Sequence, residues 1–457
     1  MSTTIAAIAT ALSNSGISII RISGKDSLDI ANKLFRGTSK LEPNHIIYGK
    51  LVYNNEFIDN VLVSYFKAPH SYTGEDVIEI NCHGGNQITK QILEIVLESG
   101  ARLAEPGEFS KRAFLNGKMD LSQAEAVINL INAKTKTETR IAANNLEGNL
   151  SKKIKELREE LVELMAQIEV SVDYPEYDYD EVEPTSITSL LDRKIAEIQH
   201  IIDTYEHGKY IKNGVNVAIL GKPNVGKSSL LNNLADYDKA IVTNIPGTTR
   251  DIVEETISLG NIILNISDTA GIRDTEDIIE KIGVEKSLKI LEEMDLVLYL
   301  INAEEGVTKE DFEILSKIQN KGLKYIPVIN KIDLAQKTDL NGILNELKEH
   351  DIKEPVCISV QENSGIENLK NEIINLFDTS DLDYSHELVI TNERHKDLLK
   401  KSVGYLNDAK TEINNGQPID IVSIYVKKCT KTLGEIIGAD VTEDIIAKIF
   451  EKFCLGK

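Results

Sequence analysis

The residues most able to do chemistry are Gly221-Lys222-Pro223-Asn224-Val225-Gly226-Lys227-Ser228, which fit the phosphate-loop pattern G-x-x-x-x-G-K-[ST]. Glycine at both ends lets main-chain N–H groups curl around an anion. The Lys227 ammonium reaches terminal phosphates, and the Ser228 hydroxyl suits Mg²⁺. A plain glycine turn needs no Lys-Ser pair. Further along, Asn330-Lys331-Ile332-Asp333 reads N-K-x-D. Its carboxylate can accept the paired N1–H and exocyclic amine of guanine, a donor pair that adenine lacks. A site built on such bonds rejects an analogue without them by roughly 10⁴ to 10⁵, so the expected base is guanine. Asp268-Thr269-Ala270-Gly271 supplies a carboxylate for the metal shell and a glycine amide for the γ-phosphate. Thr248-Thr249-Arg250-Asp251 falls where the first switch belongs, with Thr249 as the Mg²⁺ ligand that orders with the γ-phosphate.

These groups need a scaffold, and the flanking sequence provides one. The apolar run Val215 to Leu220 predicts a buried strand leading into the phosphate loop, and Ser228 to Leu234 predicts the helix after it. Asp268 follows a strand over Asn261 to Ser267, and N-K-x-D ends another apolar run. Strands alternate with helical patterns through residues 213–378, which predicts a mostly parallel sheet with helices on both faces.

The whole chain has 457 residues, room for about three domains. Its 51 basic and 73 acidic side chains leave a net charge of −22, a field that repels nucleic acid at long range. RNA served by such a chain is expected to be gripped mainly by a partner, and no DNA-binding role is expected. Cys82, Cys357, Cys429 and Cys454 show no paired C-x-x-C spacing, which argues against a disulfide framework or a zinc site. No basic leader or membrane-length apolar run is present, so the expected location is the cytoplasm, away from membranes.

Residues 1–118 mix short strands and helices. Strands are expected over Ile17 to Ile22, Ile58 to Phe66 and Val77 to Ile80, with Glu79 out of step with the apolar pattern. Cys82 and His83 suggest nucleophile and base, but neighbours on a strand point to opposite faces, which rejects the pairing. Residues 119–212 turn helical, with Leu150, Ile154, Leu157, Leu161, Leu164 and Ile168 at spacings of three and four. Asp173 to Glu183 holds six carboxylates in eleven residues and reads as a solvated acidic loop rather than a metal site. Residues 379–457 are helical again, with one stripe of Leu398, Val403, Leu406 and Ile413, and a second running from Leu433 through Ile445 and Ile446 to Phe450. Some eighty residues make a poor core alone, so this part is expected to pack with residues 119–212, making the nucleotide domain an insertion.

Ser71 to Gly85, Pro106 to Lys118, Gly247 to Asp251, Asn392-Glu393-Arg394-His395 and the terminal Phe453-Cys454-Leu455-Gly456-Lys457 closely resemble the MnmE (TrmE) family of tRNA-modifying GTPases, over the whole chain. The resemblance implies an α+β N-terminal domain that binds tetrahydrofolate and builds a homodimer, a discontinuous helical-bundle domain, and an inserted Ras-like P-loop GTPase domain. With an FAD-containing partner of the MnmG (GidA) family, in a heterotetramer-type complex, such proteins add a carboxymethylaminomethyl or aminomethyl group at C5 of the wobble uridine of certain tRNAs. A 5,10-methylene or formyl tetrahydrofolate supplies the one-carbon unit. By motif, the folate contacts are Arg21, Glu79, Lys118 and Lys457, with Cys454 as covalent or acid–base help. A carboxylate such as Glu79 suits the donor edge of a pterin. The family usually has proline and glycine between its first strand and R-I-S-G, where Ala11 to Gly16 stands here.

For hydrolysis, a Ras-like enzyme places glutamine after D-T-A-G, but this chain has Ile272, which can neither donate nor accept. The resemblance implies that Asn224, Thr243, Ile245 and Thr248 hold K⁺ where an arginine finger acts elsewhere, and that Glu280 orients the water. Arg250 and Arg273 are the competing candidates for the cationic role. The expected GTP contacts run over Asn224, Val225, Gly226, Lys227, Ser228 and Ser229, then Thr243, Asn244, Ile245, Pro246, Gly247, Thr248 and Thr249. They continue with Asp268, Thr269, Ala270, Gly271, Asn330, Lys331, Asp333 and Ser359. A ribosome-assembly GTPase shares the phosphate loop and Asn224 but should carry a basic RNA-binding domain, which this sequence lacks.

Overall fold

The computed structural model describes residues 3–173, 183–237, 255–267, 294–335, 337–377, 388–453 and 456. Two compact units emerge, one from Met1–Asn132, Ala142–Gln199 and Asp397–Lys457, the other from Ala133–Ile141 and His200–Lys396. The acidic segment Asp173 to Glu183 lies almost wholly outside the described residues.

The first unit holds a seven-stranded sheet of β1 (Ile5–Ile8), β2 (Ser15–Ser23), β3 (Phe35–Gly37), β4 (Ile46–Tyr53), β5 (Glu56–Phe66), β6 (Val77–Gly84) and β7 (Arg102–Leu103), in the order β3-β4-β5-β6-β2-β1-β7. Every pairing is antiparallel except β1 with β7. Alternation assigns the faces: Ile20, Ile22, Ile78 and Ile80 pack into the core with Ile92 and Val96 of the helix Asn86–Glu98, which turns Arg21 and Glu79 to the other side. Cys82 is buried in the same core while His83 is exposed, as strand geometry requires.

The helical part of this unit is built on the helix Asn149–Asp173, whose six apolar residues at three- and four-residue spacing are all buried. It packs against the helix Ile419–Ile437, which buries Val422, Val426, Cys429 and Leu433. Two distant stretches of chain thereby share one core. The helix Glu443–Phe450 joins Leu121 and Ala124 through Ile446 and Phe450. Ile445 departs from the expected stripe: it is 41% exposed, because on so short a helix only residues spaced like 446 and 450 face inward.

The second unit contains a six-stranded sheet of β8 (Val215–Gly221), β9 (Glu255–Leu259), β10 (Ile262–Ser267), β11 (Leu296–Asn302), β12 (Tyr325–Asn330) and β13 (Val356–Cys357), ordered β13-β12-β11-β8-β10-β9. All pairs are parallel except the β9–β10 hairpin. Every residue of β11 and β12 is buried, which explains why both read as unbroken apolar runs rather than alternating ones. In such a sheet the carboxyl ends of the strands form the binding edge.

Candidate functional site

At that edge β8 ends on Gly221, and the helix Lys227–Tyr237 begins six residues later. The turn between them takes backbone conformations that most side chains resist: φ is 144° at Gly221, 62° at Asn224 and 99° at Gly226. A Cβ on Gly226 would collide with Nδ2 of Asn330, so the loop closes against the base-recognition segment only because this residue is glycine. The Lys227 ammonium lies within the loop, donating to the carbonyls of Gly221 at 2.8 Å and Lys222 at 2.7 Å. Ser228 and Ser229 on the first turn are exposed, leaving the helix N-terminus open to an anion.

The segment Asn330-Lys331-Ile332-Asp333 starts at the end of β12. Asn330 is buried and spans two loops, donating from Nδ2 to Val225 O at 2.8 Å and accepting the Val360 N–H on Oδ1 at 3.3 Å. Lys331 takes a left-handed φ of 65°, and Ile332 N–H bonds Ile358 O at 3.3 Å, which turns the chain so that Asp333 comes next. Oδ1 of Asp333 is enclosed and has no hydrogen-bond partner among the described residues. An enclosed carboxylate oxygen left without a donor is costly, and guanine N1–H or its amine is the kind of donor that would satisfy it. Ser359 is fully buried beside this turn, its Oγ accepting Glu362 N–H at 3.1 Å.

A second polar site occupies the first unit. Register places Arg21 opposite Glu79, and their side chains meet at 2.8 Å. The guanidinium also lies 5.4 Å from the Tyr72 ring and 5.7 Å from that of Phe109, and donates to Gly456 O at 3.2 Å. Gly456 has a φ of 89°, and a Cβ there would collide with Ile8 O. Lys118 Nζ donates to Pro69 O at 3.1 Å. The same unit holds an ionic chain: the buried Arg112 pairs with Glu75 at 2.8 Å and with Glu108 at 2.9 Å, and Glu75 accepts from Ser23 at 2.8 Å. Burial pushes the Glu108 carboxyl up, but hydrogen bonds from Arg102, Glu105 N–H and Arg112 outweigh it and hold the group below its ordinary value.

The remaining expected site residues lie outside the described residues: Thr243, Asn244, Ile245, Pro246, Gly247, Thr248, Thr249, Asp268, Thr269, Ala270, Gly271, Glu280, Cys454 and Lys457, together with Arg250, Ile272 and Arg273.

Residues 4–118 match the profile of the GTP-binding protein TrmE N-terminus, and residues 121–454 that of the MnmE helical domain. The tRNA modification GTPase MnmE of Acetivibrio thermocellus is 48% identical over 459 residues, spanning 99% of this chain and 99% of that protein. The chain belongs to the MnmE (TrmE) family of tRNA modification GTPases. The MnmE of Clostridioides difficile is 46% identical, again over 99% of each chain. Among solved structures, Era of Aquifex aeolicus is 30% identical over 42% of this chain and 66% of that one, with a TM-score of 0.29.

Three features of this MnmE-family chain went unread in its sequence. One is the Gly456 carbonyl on Arg21, a contact spanning 435 residues. Another is the ion pair of Arg112 with Glu75, 37 residues away. The third is a buried carboxylate, Asp311, that reaches the phosphate loop through Lys222. The first carried a partial signal, since a glycine beside a terminal lysine marks a place where the backbone must approach closely.

Proposed function

We propose that this MnmE-family chain is a K⁺-dependent GTPase that acts as a homodimer with an FAD-containing MnmG-type partner. The pair adds a carboxymethylaminomethyl or aminomethyl group at C5 of the wobble uridine of certain tRNAs. The observation carrying the nucleotide half is the enclosed Asp333 oxygen, which has no donor among the described residues, on the same segment whose Asn330 closes on the phosphate loop. The folate half is supported by the half-buried Arg21–Glu79 pair, its guanidinium over the Tyr72 ring, which offers a carboxylate to a pterin donor edge and a guanidinium beside it.

In this reading Asp333 selects guanine, and Lys227 with the open helix N-terminus holds the phosphates. Ser228 and Thr249 would hold Mg²⁺, and Asn224, Thr243, Ile245 and Thr248 would hold K⁺. Asn224 fits that role in one respect: it is exposed at the crest of the loop. Bound metal ions supply positive charge against the phosphates, and a bound tetrahydrofolate supplies the one-carbon unit. Glu280 orients the attacking water that Ile272 cannot hold. Arg21, Glu79, Lys118 and Lys457 bind the folate, with Cys454 as covalent or acid–base help. Pairing of two chains is supported by the outer face of the N-terminal sheet, where Ile17, Ile46, Tyr48 and Leu62 are all more than 40% exposed. The three-part division at 1–118, 119–212 with 379–457, and 213–378 follows from the same reading.

The deciding experiment is nucleoside analysis of bulk tRNA from cells lacking this chain. The C5-modified wobble uridines should be replaced by unmodified ones, and an unchanged profile would overturn the proposal. In reconstitution, modification without the flavoprotein would remove the partner from it.

A further inference from the structure

Lys222, the first residue after Gly221, extends its ammonium away from the cradle, to Asp311 Oδ2 at 3.1 Å and to Thr308 Oγ1, 86 residues along the chain. Asp311 is 2% exposed at the start of the helix Lys309–Asn320. It accepts the Thr308 N–H at 2.8 Å and the Thr308 hydroxyl at 2.7 Å. Its other oxygen accepts the hydroxyl of Tyr299 at 2.8 Å. A helix-capping box explains the Thr308 contacts alone. It calls for neither a tyrosine from β11 nor a lysine from another loop.

The position of this cluster matters because Tyr299 pairs with Leu220 and Leu300 with Gly221 in the β11–β8 register. The anchor therefore stands beside the strand end from which the phosphate loop springs. The far end of that loop is held by Gly226 against Asn330. The near end carries the two carbonyls, Gly221 O and Lys222 O, that receive the Lys227 ammonium. Were Lys222 unanchored, its peptide could rotate and its charge could move towards the phosphates.

We propose that Asp311 is a positioning residue for GTP hydrolysis, acting through the Lys222 side chain to keep the Gly221 and Lys222 carbonyls turned onto Lys227. The dipoles that set Lys227 are useful only if fixed before the reaction, and small errors in placement are expensive in rate.

The test compares Asp311→Asn, Lys222→Met and the double variant in steady-state GTP hydrolysis, with thermal unfolding recorded for each. Each single change should lower kcat about tenfold while KM for GTP shifts by about threefold or less, since a misplacement near 1 Å costs up to about 10²-fold. The double variant should be no worse than the poorer single one, because both cut the same link. Lys222→Arg should keep most of the rate, as a guanidinium still pairs with the carboxylate. Should Asp311→Asn fail to fold, Tyr299→Phe with the part-exposed Lys222→Met carries the comparison. A lowered unfolding temperature with unchanged kcat, or losses that multiply in the double variant, would overturn the proposal.

Discussion

Asn330 and Val225 stand 105 residues apart and are joined by a hydrogen bond of 2.8 Å from the amide of one to the main-chain oxygen of the other. The N-K-x-D segment and the phosphate loop are thereby one piece of structure. Replacing Asn330 by alanine leaves Val225 O and Val360 N–H without this partner, at a cost of about 1–3 kcal/mol. Guanine nucleotide affinity should fall at least about tenfold, since about 1.4 kcal/mol of loop order corresponds to that factor. Titration with a fluorescent guanine nucleotide checks this; wild-type affinity would show the two loops to be independent.

The enclosed oxygen of Asp333, without a partner among the described residues, predicts a change of base preference. Asparagine at this position would place an amide donor against the amine of guanine, a clash that xanthine, with a carbonyl there, avoids. Asp333→Asn should lose GTP hydrolysis and gain hydrolysis of xanthosine triphosphate. Competition between the two nucleotides measures it.

Hydrolysis by the wild-type chain should be much faster in K⁺ than in Na⁺ at equal ionic strength. Equal rates would withdraw the cation site assigned to Asn224, Thr243, Ile245 and Thr248 and bring Arg250 or Arg273 forward. Rates in matched chloride buffers decide between them.

Acid should weaken the N-terminal part of the chain through Glu108. Its folded value lies below the ordinary one of about 4.3, so its contribution is complete above that pH and lost as the pH falls through the lower folded value. Glu108→Gln should lower stability at neutral pH and flatten this acid limb. Unfolding temperature measured from pH 3 to 7, a range of about four units around the carboxylate values, reveals whether the limb disappears.

Burial pushes the Cys82 thiol up to about 11 and Cys429 up to about 12. At pH 8 the thiolate of Cys82 is then on the order of one part in a thousand, and it is the thiolate that reacts. Iodoacetamide should leave both residues unmodified in the native chain and label them after denaturation. Peptide mass spectrometry distinguishes the outcomes, and rapid native labelling at Cys82 would contradict its place in the core.

Much of the nucleotide site was legible because its chemistry is local. A phosphate loop is a run of consecutive backbone groups, and N-K-x-D presents its carboxylate within four residues of a strand end. The unbroken apolar runs of β11 and β12 signal a sheet covered on both faces before any strand is paired. Even the rejection of Cys82 with His83 needed only the two-residue period of a strand. The Arg21–Glu79 pair was another matter: resemblance singled out both residues, but their contact follows from the β2–β6 register, and a slip of one residue would send them to opposite faces.

By itself, then, the order of residues determined the family, the phosphate-loop and N-K-x-D motifs, and the longer apolar strands and amphipathic helices, since each rests on neighbours in the chain. Tertiary structure alone decided which groups far apart in the chain share one enclosure: Lys222 with Asp311, Arg112 with Glu75, and Arg21 with the Gly456 carbonyl. Such partners are selected by packing and exclusion of water, and neither leaves a spacing in the sequence to be read.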